Sequence, residues 1–315
     1  MRLRKKDKGP WLIVLAGDDG ERLAPLTRSL YGYDLPKQFA VFRGTRSLLQ
    51  KTLVRLRGHA APERTIVVST RKWAKAAVEQ LRSHPGVQLL LQPMNLGTGV
   101  AALLPLACIR AVDPEGTVIV SPSDHHVARP EVVEDALFGV TRAVATGTAP
   151  MAVLGIAPDR AETDYGWLMP GAAVAPRAGL RTVKRFVEKP SPEEATELFA
   201  NGGLWNSLLM AASVEALWAL AERELPAQTF LLQLYGRSSR GLGAEQLLSR
   251  IFERLPRADF NRALLAKASG LTVTEVAESG WSDLGTPQRV LDSLRDTSSY
   301  ETILYRLARP EMMSA

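Results

Sequence analysis

The chain has 315 residues, enough for one large α/β domain or about two ordinary ones. Its 46% hydrophobic and 23% charged composition is that of a globular protein with a sizeable core, and excludes disorder, collagen and coiled coil. No apolar run approaches the ~18 residues a spanning helix needs, so no membrane association is expected. The first apolar run, residues 11–16, is too short for a signal peptide and stops at Gly17-Asp18-Asp19-Gly20, which points to a cytoplasmic protein. A single cysteine, Cys108, excludes an internal disulfide and a multi-cysteine metal site, and reads as a small buried hydrophobe. Most of the net charge of +6 lies in residues 2–8, where Arg2, Arg4, Lys5, Lys6 and Lys8 oppose Asp7. A solvated, disordered tail over 1–10 accounts for it better than a nucleic-acid arm, so no nucleic acid is expected as partner.

In chain order, residues 11–16 read as a buried strand ending in a glycine-rich loop. A helix is expected over 47–57, with Leu48, Leu49, Leu53, Val54 and Leu56 on one face. Strands follow at 65–69, 87–91 and 117–121, separated by helices at 72–82 and 99–111. Nearly all-apolar strands alternating with helices predict a doubly wound, mostly parallel sheet covered on both faces. In the second half, strands are expected at 150–156, 182–188 and 270–276, and helices at 192–200, 213–225, 244–254 and 287–294. No linker or composition break divides the chain, so 11–296 reads as one α/β unit with an elaborated second half. A short helix and tail occupy 297–315.

Ligands of open parallel sheets bind beyond the carboxyl ends of the strands, so the loops after the apolar runs hold the candidate residues. Singly, these loops are weak signals. The segment Gly97-Thr98-Gly99-Val100-Ala101-Ala102 satisfies a dinucleotide-type spacing, but it follows the third strand rather than the first. His125 and His126 lack a third ligand at zinc spacing, and no serine-nucleophile elbow accompanies them. Trp205-Asn206-Ser207 and Thr163-Asp164-Tyr165-Gly166-Trp167 are read as further loops.

Together and in order, the loops resemble the sugar-phosphate nucleotidyltransferases, and among these the mannose-1-phosphate guanylyltransferases. Five stretches between Trp11 and Arg289 carry the likeness: Pro36-Lys37-Gln38-Phe39, Pro122-Ser123-Asp124-His125, Phe186-Val187-Glu188-Lys189-Pro190, Trp205-Asn206-Ser207 and Trp281-Ser282-Asp283-Leu284-Gly285. The resemblance implies a Rossmann-like nucleotidyltransferase sheet and attack of mannose 1-phosphate on the α-phosphate of GTP, giving GDP-mannose and pyrophosphate. Both substrates are polyanions, so such a protein contributes mainly positioning and charge neutralisation. The resemblance then places Gly17 and Gly20 against phosphates, Arg22 and Lys37 as neutralising cations, and Gln92, Pro93 and Gly97 around the base. It places Lys189 on the sugar phosphate, and Glu188, Asn206 and the backbone of Gly166 on sugar hydroxyls. Asp124 and Asp283 match metal-binding aspartates, which implies Mg²⁺ as cofactor, and a homodimer is left open.

Two positions in the first loop depart from the family pattern. Asp18 replaces its second glycine and Glu21 its hydroxyl residue, so carboxylates stand beside the expected triphosphate. Leu96 stands where guanylyltransferases often have arginine, and Leu208 where glycine is usual. Neither a hexapeptide-repeat helix nor a cupin-like isomerase domain follows, which reads as a bare nucleotidyltransferase unit. A different sugar or base, or a catalytically weak nucleotide-sugar-binding regulator, remain the alternatives.

Overall fold

A computed structural model describes residues 9–175, 179–239, 241–295 and 297–308. Most of the expected basic tail and the last seven positions therefore lie outside the described residues. In chain order the elements are β1 (Trp11–Leu15), α1 (Ala24–Tyr31), α2 (Leu48–Leu56), β2 (Thr65–Thr70), α3 (Ala74–Leu81), β3 (Gln88–Gln92), α4 (Thr98–Arg110), β4 (Thr117–Pro122), α5 (Pro130–Ala145) and β5 (Met151–Ile156). They continue through β6 (Gly166–Ala175), β7 (Leu180–Glu188), α6 (Pro192–Ala200), β8 (Leu204–Ser213), α7 (Val214–Glu224), α8 (Pro226–Ser238), α9 (Ala244–Phe252), α10 (Phe260–Ala263), β9 (Leu271–Val276), α11 (Pro287–Asp292) and α12 (Ser298–Ala308).

The nine strands form one sheet in the order β3-β2-β1-β4-β8-β5-β9-β7-β6. The parallel, doubly wound arrangement expected from the sequence holds for β3, β2, β1 and β4. The second half is mixed: β8 runs antiparallel to both β4 and β5, and β7 antiparallel to β6 and β9. Because β6 also pairs with β8, the strands β8, β5, β9, β7 and β6 close into a ring.

Burial explains the helices. α2 opens with a capping box, in which Ser47 Oγ accepts from Gln50 N–H and Gln50 Oε1 accepts from Ser47 N–H. α4 is buried at nearly every position because the sheet covers one side and α7 and α8 the other. On the opposite face, Val133, Leu137, Val140 and Val144 of α5 line up at helical spacing against the sheet.

Two strands lie where the sequence suggested loops. β6 contains Pro170 and Gly171, both poor strand residues, and its pairing with β7 shifts register there, as bulges permit. In β8, the polar pair Asn206-Ser207 interrupts the apolar pattern. The register with β5 shifts between Val153 and Gly155, and Leu208 adopts the left-handed region with φ 56°. Bulges of this kind re-aim side chains, and this one sits beside Asn206. α1, α5 and α8 also lie outside the helices expected from the sequence. α5 and α8 each begin at a proline in the first helical position, while α1 carries Pro25 one position later, so these prolines start helices rather than end them. No helix among the described residues is long and apolar enough to cross a membrane.

Candidate active site

The carboxyl ends of β1, β3 and β4 open on a cleft of about 580 Å³, a volume suited to a small-molecule ligand. It lies where the chain crosses from one side of β1 to the other, the expected ligand position in a doubly wound sheet. Of the residues singled out from sequence, Gly17, Gly20, Arg22, Lys37, Gln92, Gly97, Asp124 and Asp283 line it. Pro93, Lys189, Glu188, Gly166 and Asn206 do not line this cavity, although the last four gather next to it.

The floor is set by two loops joined through their backbones. His126 N–H donates to Ser282 carbonyl at 2.9 Å and Ser282 N–H to His126 carbonyl at 3.0 Å. Trp281 Nε1 donates to His125 Nδ1 at 3.2 Å, which leaves the His125 proton on Nε2, 3.8 Å from Asp124 Oδ1. Burial pushes the His125 pKa down to about 4, so the ring is neutral near pH 7. Lys37 Nζ lies 3.2 Å from Asp124 Oδ2. Asp283 Oδ1 accepts from Tyr165 OH and from Gly285 N–H, each at 2.8 Å, and Arg289 Nη1 approaches at 3.1 Å. Burial alone would raise the Asp283 pKa; Lys37 and Arg289, with the two hydrogen bonds, outweigh it and hold the carboxyl below its ordinary value.

Six carboxylates line the cleft, from Asp18, Asp19, Glu21, Asp124, Asp259 and Asp283, against the three cations Arg22, Lys37 and Arg257. A polyanion entering such a cleft needs further positive charge. Asp124 and Asp283 suit a hard divalent cation, because Mg²⁺ is usually held by one or two carboxylates with phosphate and water oxygens completing the shell. Among the described residues no group of three or more His, Cys, Asp or Glu side chains could hold a metal.

The glycine-rich loop is partly occupied by its own side chains. Asp18 Oδ1 accepts from Gly20 N–H at 2.8 Å, so this backbone donor is already satisfied within the loop. Asp19 Oδ1 accepts from Trp73 Nε1 at 2.9 Å and lies 3.4 Å from Lys72 Nζ, so this carboxylate is drawn to the cleft wall. Gln92 is buried, and its Oε1 has no hydrogen-bond partner.

Beside the cleft, Gly166 of β6 lies opposite Glu188 of β7. A Cβ at Gly166 would sit 2.7 Å from Glu188 Oε2, so any other residue there would push the carboxylate out of its present position. Lys189 follows at φ 54°, its N–H donating to Tyr165 carbonyl at 3.1 Å. Asn206 is buried, its Oδ1 accepting from Leu208 N–H at 3.0 Å, and Leu208 itself lines the cleft. Sequence reasoning missed Asn261, which touches both Asn206 and Glu188. The one local signal was Asp259, the N-cap of a four-residue helix too short to register as an element.

The nucleotidyl transferase family matches residues 12–299, and the chain belongs to that family. It is 30% identical over 292 residues to mannose-1-phosphate guanylyltransferase 2 of Escherichia coli O157:H7, covering 89% of this chain and 59% of that protein. It is 31% identical over 287 residues to the xanthan biosynthesis protein XanB of Xanthomonas campestris pv. campestris (strain B100), covering 89% of this chain and 58% of that one. The chain thus spans well under two thirds of the length of these relatives. Among solved structures, it resembles the crystal structure described as mannose-1-phosphate geranyltransferase from Thermus thermophilus, with a TM-score of 0.75 and 28% identity over 88% of this chain and 77% of that one.

Proposed function

We propose that the protein is an Mg²⁺-dependent sugar-1-phosphate nucleotidyltransferase, with GTP and mannose 1-phosphate as substrates and GDP-mannose and pyrophosphate as products. The observation that carries this reading is the meeting of Lys37, Asp124 and Asp283 on one cleft floor, from three sequence stretches that resemble the same family. The similarity to proteins named mannose-1-phosphate guanylyltransferase supports the choice of substrates.

In this reading the triphosphate lies along the glycine-rich loop, with Gly17 and Gly20 toward its phosphates and Gln92 and Gly97 around the base, while Pro93, which does not line the cleft, takes no part. Lys189 holds the sugar phosphate, while Glu188, Asn206 and the Gly166 backbone receive sugar hydroxyls. A sugar-phosphate oxygen attacks the α-phosphorus and pyrophosphate leaves in line, its charge met by Arg22 and Lys37. Asp124 and Asp283 would hold Mg²⁺, which supplies charge neutralisation on the phosphates when bound.

A second reading, a weak catalyst that binds a nucleotide sugar and regulates a partner, draws on Asp18 holding the Gly20 N–H. Pyrophosphate release across a matrix of nucleoside triphosphates and sugar 1-phosphates separates the possibilities. Turnover with GTP and mannose 1-phosphate supports the proposal; turnover with another pair moves the specificity; nucleotide-sugar binding without turnover favours the regulator.

A further inference from the structure

The turn leading into α10 carries none of the motifs recognised in the sequence, yet it touches both halves of the site. Toward the cleft, Ala258 N–H donates to Leu96 carbonyl at 3.0 Å and Gly99 N–H donates to Ala258 carbonyl at 2.9 Å. Phe260 N–H donates to Thr98 Oγ1 at 2.9 Å. Gly97 has φ 94°, and a Cβ there would lie 2.4 Å from Ala258 carbonyl oxygen, so turn and loop meet only because this residue is glycine. One residue beyond Phe260, Asn261 Oδ1 accepts from Asn206 Nδ2 and Asn261 Nδ2 donates to Glu188 Oε2, each at 3.1 Å. A carboxylate can only accept, so the Asn261 amide has one orientation that satisfies both neighbours. Asn206 Nδ2 keeps a second proton, and Glu188 keeps Oε1, for a ligand hydroxyl.

We propose that Asn261 is the positioning residue of the sugar end: it clamps Asn206 and Glu188 into one hydroxyl-binding pair and ties that pair to the Leu96–Gly99 loop beside the nucleotide. The proposal rests on the nucleotidyltransferase reading above and assigns a residue that reading did not use.

Charge gives the clamp a distinctive signature. Burial, and then Asp259, raise the Glu188 pKa above the ordinary carboxylate value, while the Asn261 hydrogen bond, Lys189 and Arg262 oppose the rise. Removing the Asn261 donor moves the Glu188 pKa further up. An ionised Glu188 then persists only at higher pH, and the acid limb of kcat/KM for the sugar phosphate moves with it.

The test measures KM for both substrates, the pH profile and Tm for wild type, Asn261→Ala and the isosteric Asn261→Asp. Both variants are expected to raise the KM of the sugar 1-phosphate by about tenfold or more, the scale of a lost hydrogen bond to a charged group. The triphosphate KM stays within about twofold, and the acid limb shifts upward. Asn261→Asp keeps the shape and the acceptor for Asn206 but sets a carboxyl against Glu188 in place of the donor, and an unchanged Tm separates the lost donor from a folding defect. An equal rise in both KM values, or an Asp variant with unchanged kinetics, overturns the positioning role and leaves the proposed reaction standing. Failure of the wild type to turn over any triphosphate and sugar 1-phosphate pair overturns the reaction itself, and this role with it.

Discussion

The ammonium of Lys37 lies 3.2 Å from Asp124 Oδ2 and donates to the backbone carbonyl of Asp283. Two residues 159 positions apart in the chain therefore share one cation at the cleft floor, and the His126–Ser282 bridge holds their loops in that register. If both carboxylates hold the metal, Asp124→Asn and Asp283→Asn should each lower kcat by about 10²-fold or more, the scale of lost transition-state charge stabilisation. Steady-state kinetics at saturating Mg²⁺ decide the matter. A variant with near-normal turnover removes its residue from the metal site.

Lys189 sits in the left-handed region at φ 54°, directly after Glu188 and with its backbone bonded to Tyr165. If its ammonium holds the sugar phosphate, Lys189→Ala should raise the KM of the sugar 1-phosphate by about 10- to 150-fold, since a hydrogen bond to a charged group is worth roughly 1.5–3 kcal/mol. The triphosphate KM should change far less. Parallel titration of the two substrates would reveal a wrong assignment as equal effects.

The Asp18 carboxylate satisfies the Gly20 N–H from within the loop, and Glu21 lies exposed on the same cleft. A carboxylate ~6 Å from a phosphate charge at an effective ε of about 20 costs about 3 kcal/mol, roughly a hundredfold in affinity before screening. Asp18→Gly combined with Glu21→Thr frees the donor and removes both charges. Triphosphate binding should tighten, and turnover should rise at least about tenfold. Unchanged or lower activity would show that this loop serves a purpose other than triphosphate binding.

His59 is buried with both ring nitrogens unpartnered and stacks on Phe138 at a centroid distance of 3.9 Å. Burial pushes its pKa down to about 4 from an ordinary value of 6.5. The unfolded chain takes up this proton below about pH 6.5 and the folded chain only near pH 4, so stability is lost as pH falls through that window. His59→Phe removes the proton uptake and should gain about 2 kcal/mol relative to wild type on going from pH 8 to pH 5. Urea denaturation at the two pH values measures the difference. A mutational effect independent of pH would place the titration elsewhere.

Residue pattern alone dictates the parallel half of the sheet, because strands buried on both faces carry unbroken apolar runs, and 11–16, 66–68 and 118–120 are such runs. Lys37, Asp124 and Asp283 are marked by the resemblance of the stretches that carry them, since each by itself is an ordinary charged loop residue. The remainder depends on contacts between distant segments. β8 could not be read as a strand because Asn206 and Ser207 are polar but buried, their hydrogen bonds supplied by Asn261 and by the Leu154 carbonyl from elsewhere in the chain. Asn261 itself lies in the four-residue α10, too short to show periodicity, and its role exists only because long-range bonds carry that segment between Leu96–Gly99 and Glu188. Local pattern reports what an element buries; which polar groups satisfy one another across the chain is settled only when the sheet closes and brings them within hydrogen-bonding distance.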